Sequence, residues 1–555
     1  MKVRLKWDNV YLLSALLGVV VFVCIYGIHV LNPFYTAWLY LDNDLSQHYL
    51  GWEFFRRSDW FFPIGMGDQL SFPAKASVVF TDSIPLFAIP FKLLLSFYEG
   101  KFQYFGFFGL LSFILQGYFA AKILKQYVED KAMVLMGSFL FIISPAVIFK
   151  LFHHTTLGAH WIILIAVYLF AAHKETYQKN WKGFWAWFLV GALVASVHLY
   201  YIPMVGVFLG AYMVASVLQD KKVHVKYLLP GVGFVIGLFG ITYLLGGLSS
   251  DAVMQASGLG YFSFNLNGFW NPFGYSKILP EQPLYTDGQY EGFSYLGFGV
   301  ILLVIIYVVT QVVKLVQQRK DISWKNISSE TVLYVLVSIA LIALAASNIV
   351  SFNDKLLFEW PDIDIIMEYW EAFRSSGRLV WPVCYLLMLL GIWNLYRMSK
   401  LGRNWKIIAY LVLALCMMIQ CYDMSGKLSA KQQDFWVKKE YQPALQGEVW
   451  ETIAADENIE HIVWTSHIAD NGKMLKLAGF ALDQNMTMND YYFARYVDLN
   501  EERQVYLGNI NDSCVYIFRP EEIQEMQDYG LHLYETDELI IGTVKPIDGV
   551  AEFEK

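Results

Sequence analysis

Eleven apolar stretches constrain this chain more than any other feature, because each is near the length of about 20 residues that an α-helix needs to cross a bilayer. They occupy residues 11–31, 102–124, 132–151, 155–172, 183–200, 203–218, 227–247, 293–316, 331–346, 378–396 and 405–421. Only 16% of the 555 residues are charged and 56% are hydrophobic, whereas soluble domains carry about 25% charged residues. The sequence therefore predicts an α-helical polytopic membrane protein with about eleven transmembrane helices.

Residues 82–98 form a further apolar segment, but it contains Asp82, Pro85, Pro90 and Lys92. If this segment does not cross, the short loops on the N-terminal side hold 20 Lys and Arg residues and the longer opposite loops hold eight. Basic residues accumulate in cytoplasmic loops. We therefore predict a cytoplasmic N-terminus and an extracytoplasmic C-terminus, with 82–98 as a re-entrant or interfacial segment.

This topology places the polar parts of the chain on the extracytoplasmic side. They are a first outer loop at 32–101, two further loops at 248–292 and 347–377, and a tail. Strand-like and helix-like stretches alternate in the tail, which predicts a small soluble α/β domain. We predict a transmembrane domain over 1–424 and this α/β domain over 425–555.

Charge and cysteine content exclude several function classes. The net charge of −8 sums basic cytoplasmic loops and an acidic tail, so it does not indicate a nucleic-acid partner. The five cysteines have no spacing typical of a zinc or redox site.

The start of the first outer loop is dense in ionisable residues. Asp42 and Asp44 lie two residues apart, so both carboxylates could face one cavity, hold a divalent cation such as Mg²⁺ or Mn²⁺, or accept a proton. A helix from Asp44 onward would place Asp44, His48 and either Gly51 or Trp52 on one face, with Arg56 one turn further along. The alternative is structural: the acids cap the start of a helix whose far end carries arginines.

Other candidate binding residues lie at predicted outer boundaries. Arg374 and Arg378 are spaced i, i+4 and could bind a phosphate, or could extend to lipid headgroups. His154 and His160 could bind a phosphate or sugar, or could be ordinary interfacial histidines. Asp82 could contact substrate, but its place before Pro85 also predicts a helix cap.

Several motifs resemble one known family of enzymes. They are DLSQHYLGWEFFRRSDWFFPIG, FTDSIPLFAIPFK, HHTTLGAHW, FRSSGRLVWP and NDYYFARY, which extend over residues 44–496. In their order and predicted side, they resemble an uncharacterised bacterial branch of the C-type (GT-C) integral membrane glycosyltransferases. That clan includes oligosaccharyltransferases, dolichyl-phosphate-mannose mannosyltransferases and bacterial arabinosyltransferases.

The resemblance implies an enzyme of the bacterial cytoplasmic membrane, surrounded by membrane lipids. It would transfer a hexose or pentose from a polyprenyl-phosphate donor to a cell-envelope glycan, lipid or protein, usually with inversion. It also implies a general base in the first outer loop, for which Asp44 is the first choice and Asp42 the second. The phosphate and sugar contacts would come from the residues named above. Members of the clan differ in their need for a metal, so a metal at Asp42 and Asp44 stays open.

Two other functions remain open from the sequence. A lipid or polysaccharide transporter could use the same helices, although their central positions contain almost none of the charged residues that mark ion pathways. A non-catalytic assembly factor could bind glycan through its tail.

Overall fold

The computed structural model describes residues 9–174, 180–248, 258–317, 328–361, 370–443, 445–467, 470–493 and 505–553. The α-helices are α1 (Asn9–Tyr26), α2 (Asn43–Arg57), α3 (Pro85–Leu94), α4 (Phe105–Leu124), α5 (Lys131–Ile142), α6 (Pro145–Lys150), α7 (Trp161–Ala171), α8 (Asn180–Val197), α9 (Tyr201–Asp220), α10 (Leu229–Leu244), α11 (Phe298–Gln317), α12 (Ser329–Ala346), α13 (Trp381–Ser399), α14 (Arg403–Trp436), α15 (Glu448–Ala455), α16 (Asn471–Asp483) and α17 (Ile523–Asp528). The strands are β1 (Met66–Gly67), β2 (Ala76–Ser77), β3 (Ile349–Phe352), β4 (Lys355–Glu359), β5 (His461–Trp464), β6 (Thr487–Met488), β7 (Cys514–Phe518), β8 (His532–Thr536) and β9 (Leu539–Thr543).

Within the described ranges, nine helical stretches are long and apolar enough to cross a membrane. They correspond to nine of the eleven predicted spans. The other two predicted spans, 155–172 and 183–200, form shorter apolar helices at Thr155–Ala171 and Trp181–Val197. The predicted fold class, a helical polytopic membrane protein with a small α/β domain, is confirmed.

The segment predicted not to cross contains the short helix α3. Its ten residues extend about 15 Å at 1.5 Å per residue, about half of the roughly 30 Å hydrocarbon core. Pro85 occupies the start of the helix, as predicted. The length of α3 agrees with a segment that does not span, while the orientation of the whole chain stays a prediction.

The chain divides into two compact units. Met1–Leu31, Phe105–Gly240 and Gln255–Val437 form the first, which we name the membrane unit. Asn32–Tyr104, Ile241–Met254 and Lys438–Lys555 form the second, which we name the loop–tail unit. The predicted division near residue 425 stays a prediction, and α14 continues through that position to Trp436.

Small residues allow close helix packing in the membrane unit. A Cβ atom on Gly18 of α1 would lie 2.2 Å from the carbonyl oxygen of Phe113 in α4, and one on Gly117 of α4 would lie 2.1 Å from that of Ser14 in α1. Any larger side chain would separate the two backbones, which is why small residues are enriched where membrane helices meet.

The loop–tail unit contains a five-stranded sheet in the order β6-β5-β7-β9-β8. β5 is parallel to β6 and β7, whereas β9 is antiparallel to β7 and β8. The hydrophobic core on this sheet includes the buried residues Val463, Tyr516 and Phe518. Phe72 of the first loop packs against this core, and its ring stacks on that of His461 with centroids 4.6 Å apart.

Candidate functional site

Asp42 and Asp44 lie at the start of α2. Asp42 has extended backbone angles (φ −146°, ψ 146°), and its Oδ1 accepts the backbone N–H of Asp44 at 3.0 Å. This is the hydrogen bond of a helix N-cap. Asp44 lies in the first turn of the helix, where the helix dipole stabilises a negative charge. Asp42 therefore performs the structural role that the sequence left open between the two acids.

The tail contributes a hydrogen bond to the Asp44 carboxylate. The hydroxyl of Tyr492 donates to Asp44 Oδ1 at 3.3 Å. Close by, Gln47 Nε2 donates to the carbonyl of Tyr492 at 2.5 Å, and the buried Tyr491 hydroxyl donates to the carbonyl of Gln47 at 2.7 Å. Asp44 itself is partly exposed. Residues 491–492 thus hold the first turns of α2 in place through these hydrogen bonds. The Asp44 carboxylate at the start of this helix keeps an exposed surface.

The remaining members of the predicted stripe on α2 are buried. His48 and Trp52 have no exposed surface, and Trp52 Nε1 donates to the carbonyl of Phe102 at 2.9 Å. Arg56 Nη2 donates to Glu53 Oε2 at 2.7 Å, and Glu53 Oε1 accepts the backbone N–H of Phe102 at 3.0 Å. These contacts fix α2 against the end of the first loop. Substrate contacts by His48, Trp52 and Arg56 stay predictions.

Glu53 is a buried acid that the sequence reasoning did not select. Burial raises the pKa of its carboxyl, and the neighbouring Arg56 opposes this rise. Its i, i+3 spacing to Arg56 was the only sequence signal for the pair.

The prediction that Asp82 caps α3 is wrong. The N-cap position falls on Ile84, which makes no capping side-chain bond, and Asp82 has left-handed backbone angles at the end of the preceding 3₁₀ turn. The helix begins directly at Pro85, so Asp82 lies too far upstream to cap it. The hydroxyl of the intervening Ser83 donates to the carbonyl of His48 at 2.7 Å instead. A substrate contact by Asp82 stays a prediction.

The membrane unit contains a buried ion cluster centred on Glu291. Its Oε2 lies 2.5 Å from Lys150 Nζ and 2.8 Å from Arg378 Nη2, and its Oε1 lies 3.5 Å from His154 Nε2. The side chains of Lys150, Glu291 and Arg378 are 0%, 5% and 7% exposed. We name these four residues the Glu291 cluster. It contains two basic side chains, one imidazole and one carboxylate.

Charges within the Glu291 cluster determine its protonation. Burial raises the pKa of the Glu291 carboxyl, but the Arg378 and Lys150 cations outweigh this and hold it well below its ordinary value. Burial and then the Lys150 charge lower the pKa of His154, against the opposing effect of Glu291. An ionised Glu291 and a neutral His154 leave the cluster with a net positive charge at neutral pH.

Arg374 and Arg378, the two predicted phosphate-binding arginines, have different environments. Arg378 is buried in the Glu291 cluster, and its guanidinium carbon lies 4.9 Å from the ring centroid of Tyr200. Arg374 is exposed and lies 5.7 Å from the ring centroid of Phe262. An i, i+4 spacing brings two side chains to one face only where a helix includes both residues. Here the 3₁₀ helix begins at Ser376, after Arg374. Their phosphate-binding role stays a prediction.

His160 belongs to a different set of contacts from His154. Its Nδ1 lies 2.7 Å from the hydroxyl of Tyr385, which also accepts a hydrogen bond from Gln116 Nε2 at 3.0 Å. Its ring centroid lies 4.5 Å from that of Trp381. His160 is fully buried. A contact from His160 to substrate stays a prediction.

A divalent cation at Asp42 and Asp44 also stays a prediction. Carboxylate oxygens are ligands that Mg²⁺ and Mn²⁺ prefer, and the two acids are adjacent at one helix start. One oxygen of each already accepts a hydrogen bond, from the Asp44 amide and from Tyr492.

The sequence matches a family profile described as a domain of unknown function (DUF6311) over residues 15–425. The chain belongs to the DUF6311 family. A second profile, the DUF6311 C-terminal domain, matches residues 449–544. No curated protein matches this member of the family.

Two solved structures are similar in part. The apo crystal structure of the Archaeoglobus fulgidus oligosaccharyltransferase is 12% identical with a TM-score of 0.39, covering 88% of this chain and 65% of that one. Archaeal oligosaccharyltransferase AglB from Archaeoglobus fulgidus, in complex with an inhibitory peptide and a dolichol-phosphate, is 10% identical with a TM-score of 0.41, covering 97% and 74%. This chain thus spans 65% of the length of the first.

Proposed function

We propose that this chain is a membrane glycosyltransferase. It transfers a hexose or pentose from a polyprenyl-phosphate donor to a cell-envelope glycan, lipid or protein, with inversion at the anomeric carbon. The observation that carries the proposal is the position of Asp44, a partly exposed carboxylate in the first turn of α2 with the Tyr492 hydroxyl on one oxygen. The motif resemblance to the C-type glycosyltransferases supplies the reaction class.

The two acids of the loop have different roles in this proposal. Asp42 caps α2 and fixes the direction of its first turn. Asp44 then presents its carboxylate from a rigid helical position and accepts the proton of the acceptor group. Tyr492 is a positioning residue, because its bond to Oδ1 restricts rotation of the Asp44 side chain. A positioned base of this kind contributes roughly 10²- to 10⁴-fold to a rate.

The reaction balances without a redox partner. The acceptor oxygen forms a bond to the anomeric carbon as its proton passes to Asp44. The bond from the anomeric carbon to the phosphate oxygen breaks, and its electron pair leaves with the polyprenyl phosphate. A transition state with positive charge on the sugar ring benefits from a nearby carboxylate, and the developing charge on the phosphate benefits from fixed cations.

The residues that we assign to bind the donor phosphate all belong to the membrane unit. The exposed Arg374 is the direct contact, because its side chain is accessible. Arg378 is held by Glu291 and contributes the positive field of the Glu291 cluster. Guanidinium groups suit this role because their planar donors match phosphate oxygens.

Matched substitutions in the reconstituted full chain test the assignment of the base. Asp44→Asn retains the shape of the side chain but removes the proton acceptor, so we expect transfer to fall by roughly 10²-fold or more. Asp42→Asn is the control, because Asn caps a helix as well as Asp does. We expect it to retain most of the activity.

The assay uses radiolabelled polyprenyl-phosphate hexoses and pentoses with a cell-envelope extract as acceptor, and measures label in the acceptor fraction. Full activity of Asp44→Asn would remove Asp44 from the role of base. A wild-type chain that transfers label from none of these donors would contradict the proposed activity itself.

A further inference from the structure

An apolar hairpin follows one membrane-spanning helix of the membrane unit and precedes the next along the chain. β3 and β4 pair in antiparallel fashion between α12 and α13. Every residue of β4 is exposed. Leu356, Leu357 and Phe358 are 39%, 57% and 49% exposed, and Trp360 just beyond the strand is 56% exposed. Val350 pairs with Phe358 and Ser351 with Leu356, so Leu357 is the extra residue of a β-bulge in β4. The apolar side chains of β4 are exposed on both sides of this bulge.

A network of amide hydrogen bonds holds this hairpin in place. The tip residue Asn353 donates its backbone N–H to Asn265 Oδ1 at 3.0 Å and accepts on its carbonyl from Asn265 Nδ2 at 2.8 Å. Asn267 Nδ2 donates to Asn353 Oδ1 at 2.9 Å. On β3, Ser351 Oγ accepts from Gln289 Nε2 at 2.7 Å. With its tip and inner strand fixed, the hairpin cannot bury β4 by folding over.

The hairpin begins close to the end of a membrane span. α12 ends at Ala346, and β3 begins three residues later at Ile349. Three extended residues reach at most about 11 Å. α12 also exposes Val335, Leu336 and Ile339, the surface that a spanning helix presents to lipid. The apolar residues of β4 therefore continue a lipid-facing surface at the level where the span ends.

We propose that the β3–β4 hairpin is a membrane anchor whose strand β4 lies in the interfacial layer of the bilayer beside α12. Trp and other amphipathic aromatic residues favour this layer, and the Phe358 and Trp360 rings pack edge to face with centroids 4.8 Å apart. Among the described residues, β3 is the one strand that pairs with β4. The outer edge of β4 is therefore an open sheet edge, which hydrocarbon excludes but water and headgroups can satisfy. This requirement places β4 in the interface and not in the bilayer core.

A lipid interface explains the exposure of β4 better than a second copy of the chain does. Pairing of β4 with another β4 would satisfy the open edge. It would still leave the exposed side chains of Leu356, Leu357 and Phe358 in water. An interface surrounds an immersed strand on both faces. The charged Lys355 and Glu359 at its two ends can reach the headgroups.

Fluorescence quenching in proteoliposomes tests the proposal with the full chain. Cys24 and Cys421, the cysteines with exposed surface, are first replaced by Ser, and Leu357→Cys is labelled with an environment-sensitive dye. We expect blue-shifted emission, strong quenching by lipids that carry a nitroxide at the headgroup or carbon 5, and weak quenching by aqueous iodide. Glu535→Cys, an exposed strand position in β8, is the matched control and should show the reverse pattern.

Two outcomes would overturn the anchor. In the first, iodide quenches the dye on the Leu357→Cys chain as strongly as the dye on the Glu535→Cys chain, and the lipid quenchers have no effect. This result would place β4 in water. The second is efficient disulfide formation between the introduced thiols of two unlabelled Leu357→Cys chains at high lipid-to-protein ratio, which would make a second chain the occupant. Neither outcome depends on the proposed glycosyl transfer.

Discussion

At the scale of single residues, the hydroxyl of Tyr492 is the contact through which the tail acts on the candidate base. It reaches Asp44 from 448 positions along the chain. A hydrogen bond to a charged group contributes about 1.5 to 3 kcal/mol when well formed, and this one is long at 3.3 Å. We expect Tyr492→Phe to lower the rate of transfer by roughly fivefold, equivalent to about 1 kcal/mol.

The measurement for Tyr492→Phe is the ratio kcat/KM together with the thermal unfolding midpoint in detergent. A positioning role predicts a lower kcat with an unchanged midpoint. Tyr529→Phe, at an exposed site in the tail, controls for loss of a tyrosine hydroxyl. A rate of Tyr492→Phe equal to that of the control would exclude the positioning role.

Loss of the Glu291 carboxylate should destabilise the membrane unit. Glu291→Ala leaves Lys150 and Arg378 buried without their shared carboxylate, and removing one partner of a buried ion pair costs about 3 to 5 kcal/mol. We expect a large fall in unfolding midpoint, measured in mild detergent. Glu281→Ala, in the same loop but exposed, should change little. Equal midpoints for the two variants would show that the cluster does not stabilise the fold.

His154 should make stability depend on pH. Its folded pKa is lowered from 6.5 by burial and then by Lys150, so as pH falls below 6.5 the unfolded chain binds a proton that the folded chain does not. Stability is then lost with falling pH, by at most about 1.4 kcal/mol per pH unit. We expect His154→Gln to flatten the unfolding midpoint between pH 7.5 and 5.5. An unchanged slope would exclude His154 as its source.

The sequence located some of these residues but not their partners. Asp44 could be selected because it lies in a stretch dense in ionisable residues, and Arg378 because it is spaced i, i+4 from Arg374. Tyr492 is one of several aromatic residues in the tail, and Glu291 is one of several acids in the loop at 248–292, so neither stands out in the sequence. Hydrogen bonds between distant segments leave no local spacing pattern, so the sequence could not predict the Tyr492 bond or the Glu291 cluster.

At the scale of elements, α2 depends on a close approach that only glycine permits. A Cβ atom on Gly51 would lie 2.4 Å from Thr81 Cβ. We expect Gly51→Ala to destabilise the loop–tail unit by about 1 to 3 kcal/mol through overpacking. Gly479→Ala in α16 is the control, because a Cβ there meets no atom within 4 Å and Ala favours a helix by about 1 kcal/mol.

Unfolding midpoints of the two glycine variants measure this difference. We expect Gly51→Ala below the wild type and Gly479→Ala at or above it. A Gly51→Ala chain as stable as the wild type would show that α2 can shift away from Thr81.

Element prediction succeeded where hydrophobic length decides the outcome. Nine of the predicted spans match helices of sufficient length, and 82–98 contains only the ten-residue α3. Element prediction was wrong where the backbone angles of single residues determine the end of a helix. The cap of α3 falls on Ile84 and not on Asp82, because left-handed angles at both residues set the chain direction before Pro85. Such angles at non-glycine residues carry no clear sequence signal.

At the scale of the whole molecule, the sequence predicted the helical class but not which segments form one compact unit. The first loop and the tail lie about 400 residues apart, yet they share a unit. Arg57 Nη1 donates to the carbonyl of Leu482 at 2.8 Å, and Lys101 Nζ lies 2.7 Å from Asp483 Oδ1. Hydropathy and charge counts place segments on one side of a membrane but contain no information about such pairing.

This shared unit predicts that the first loop and the tail unfold together. Ile517 is fully buried in β7, and Ile517→Ala should cost about 2 kcal/mol or more. If loop and tail form one cooperative unit, amide exchange in α2 should accelerate by at least about tenfold, although residue 517 lies far from α2 in sequence. Hydrogen exchange of the full chain, read by mass spectrometry, measures this acceleration.

The control is Val505→Ala, at an exposed position of the tail, which should leave amide exchange in α2 unchanged. Wild-type exchange of α2 in the Ile517→Ala chain would mean that the loop carrying Asp44 holds its fold without the tail.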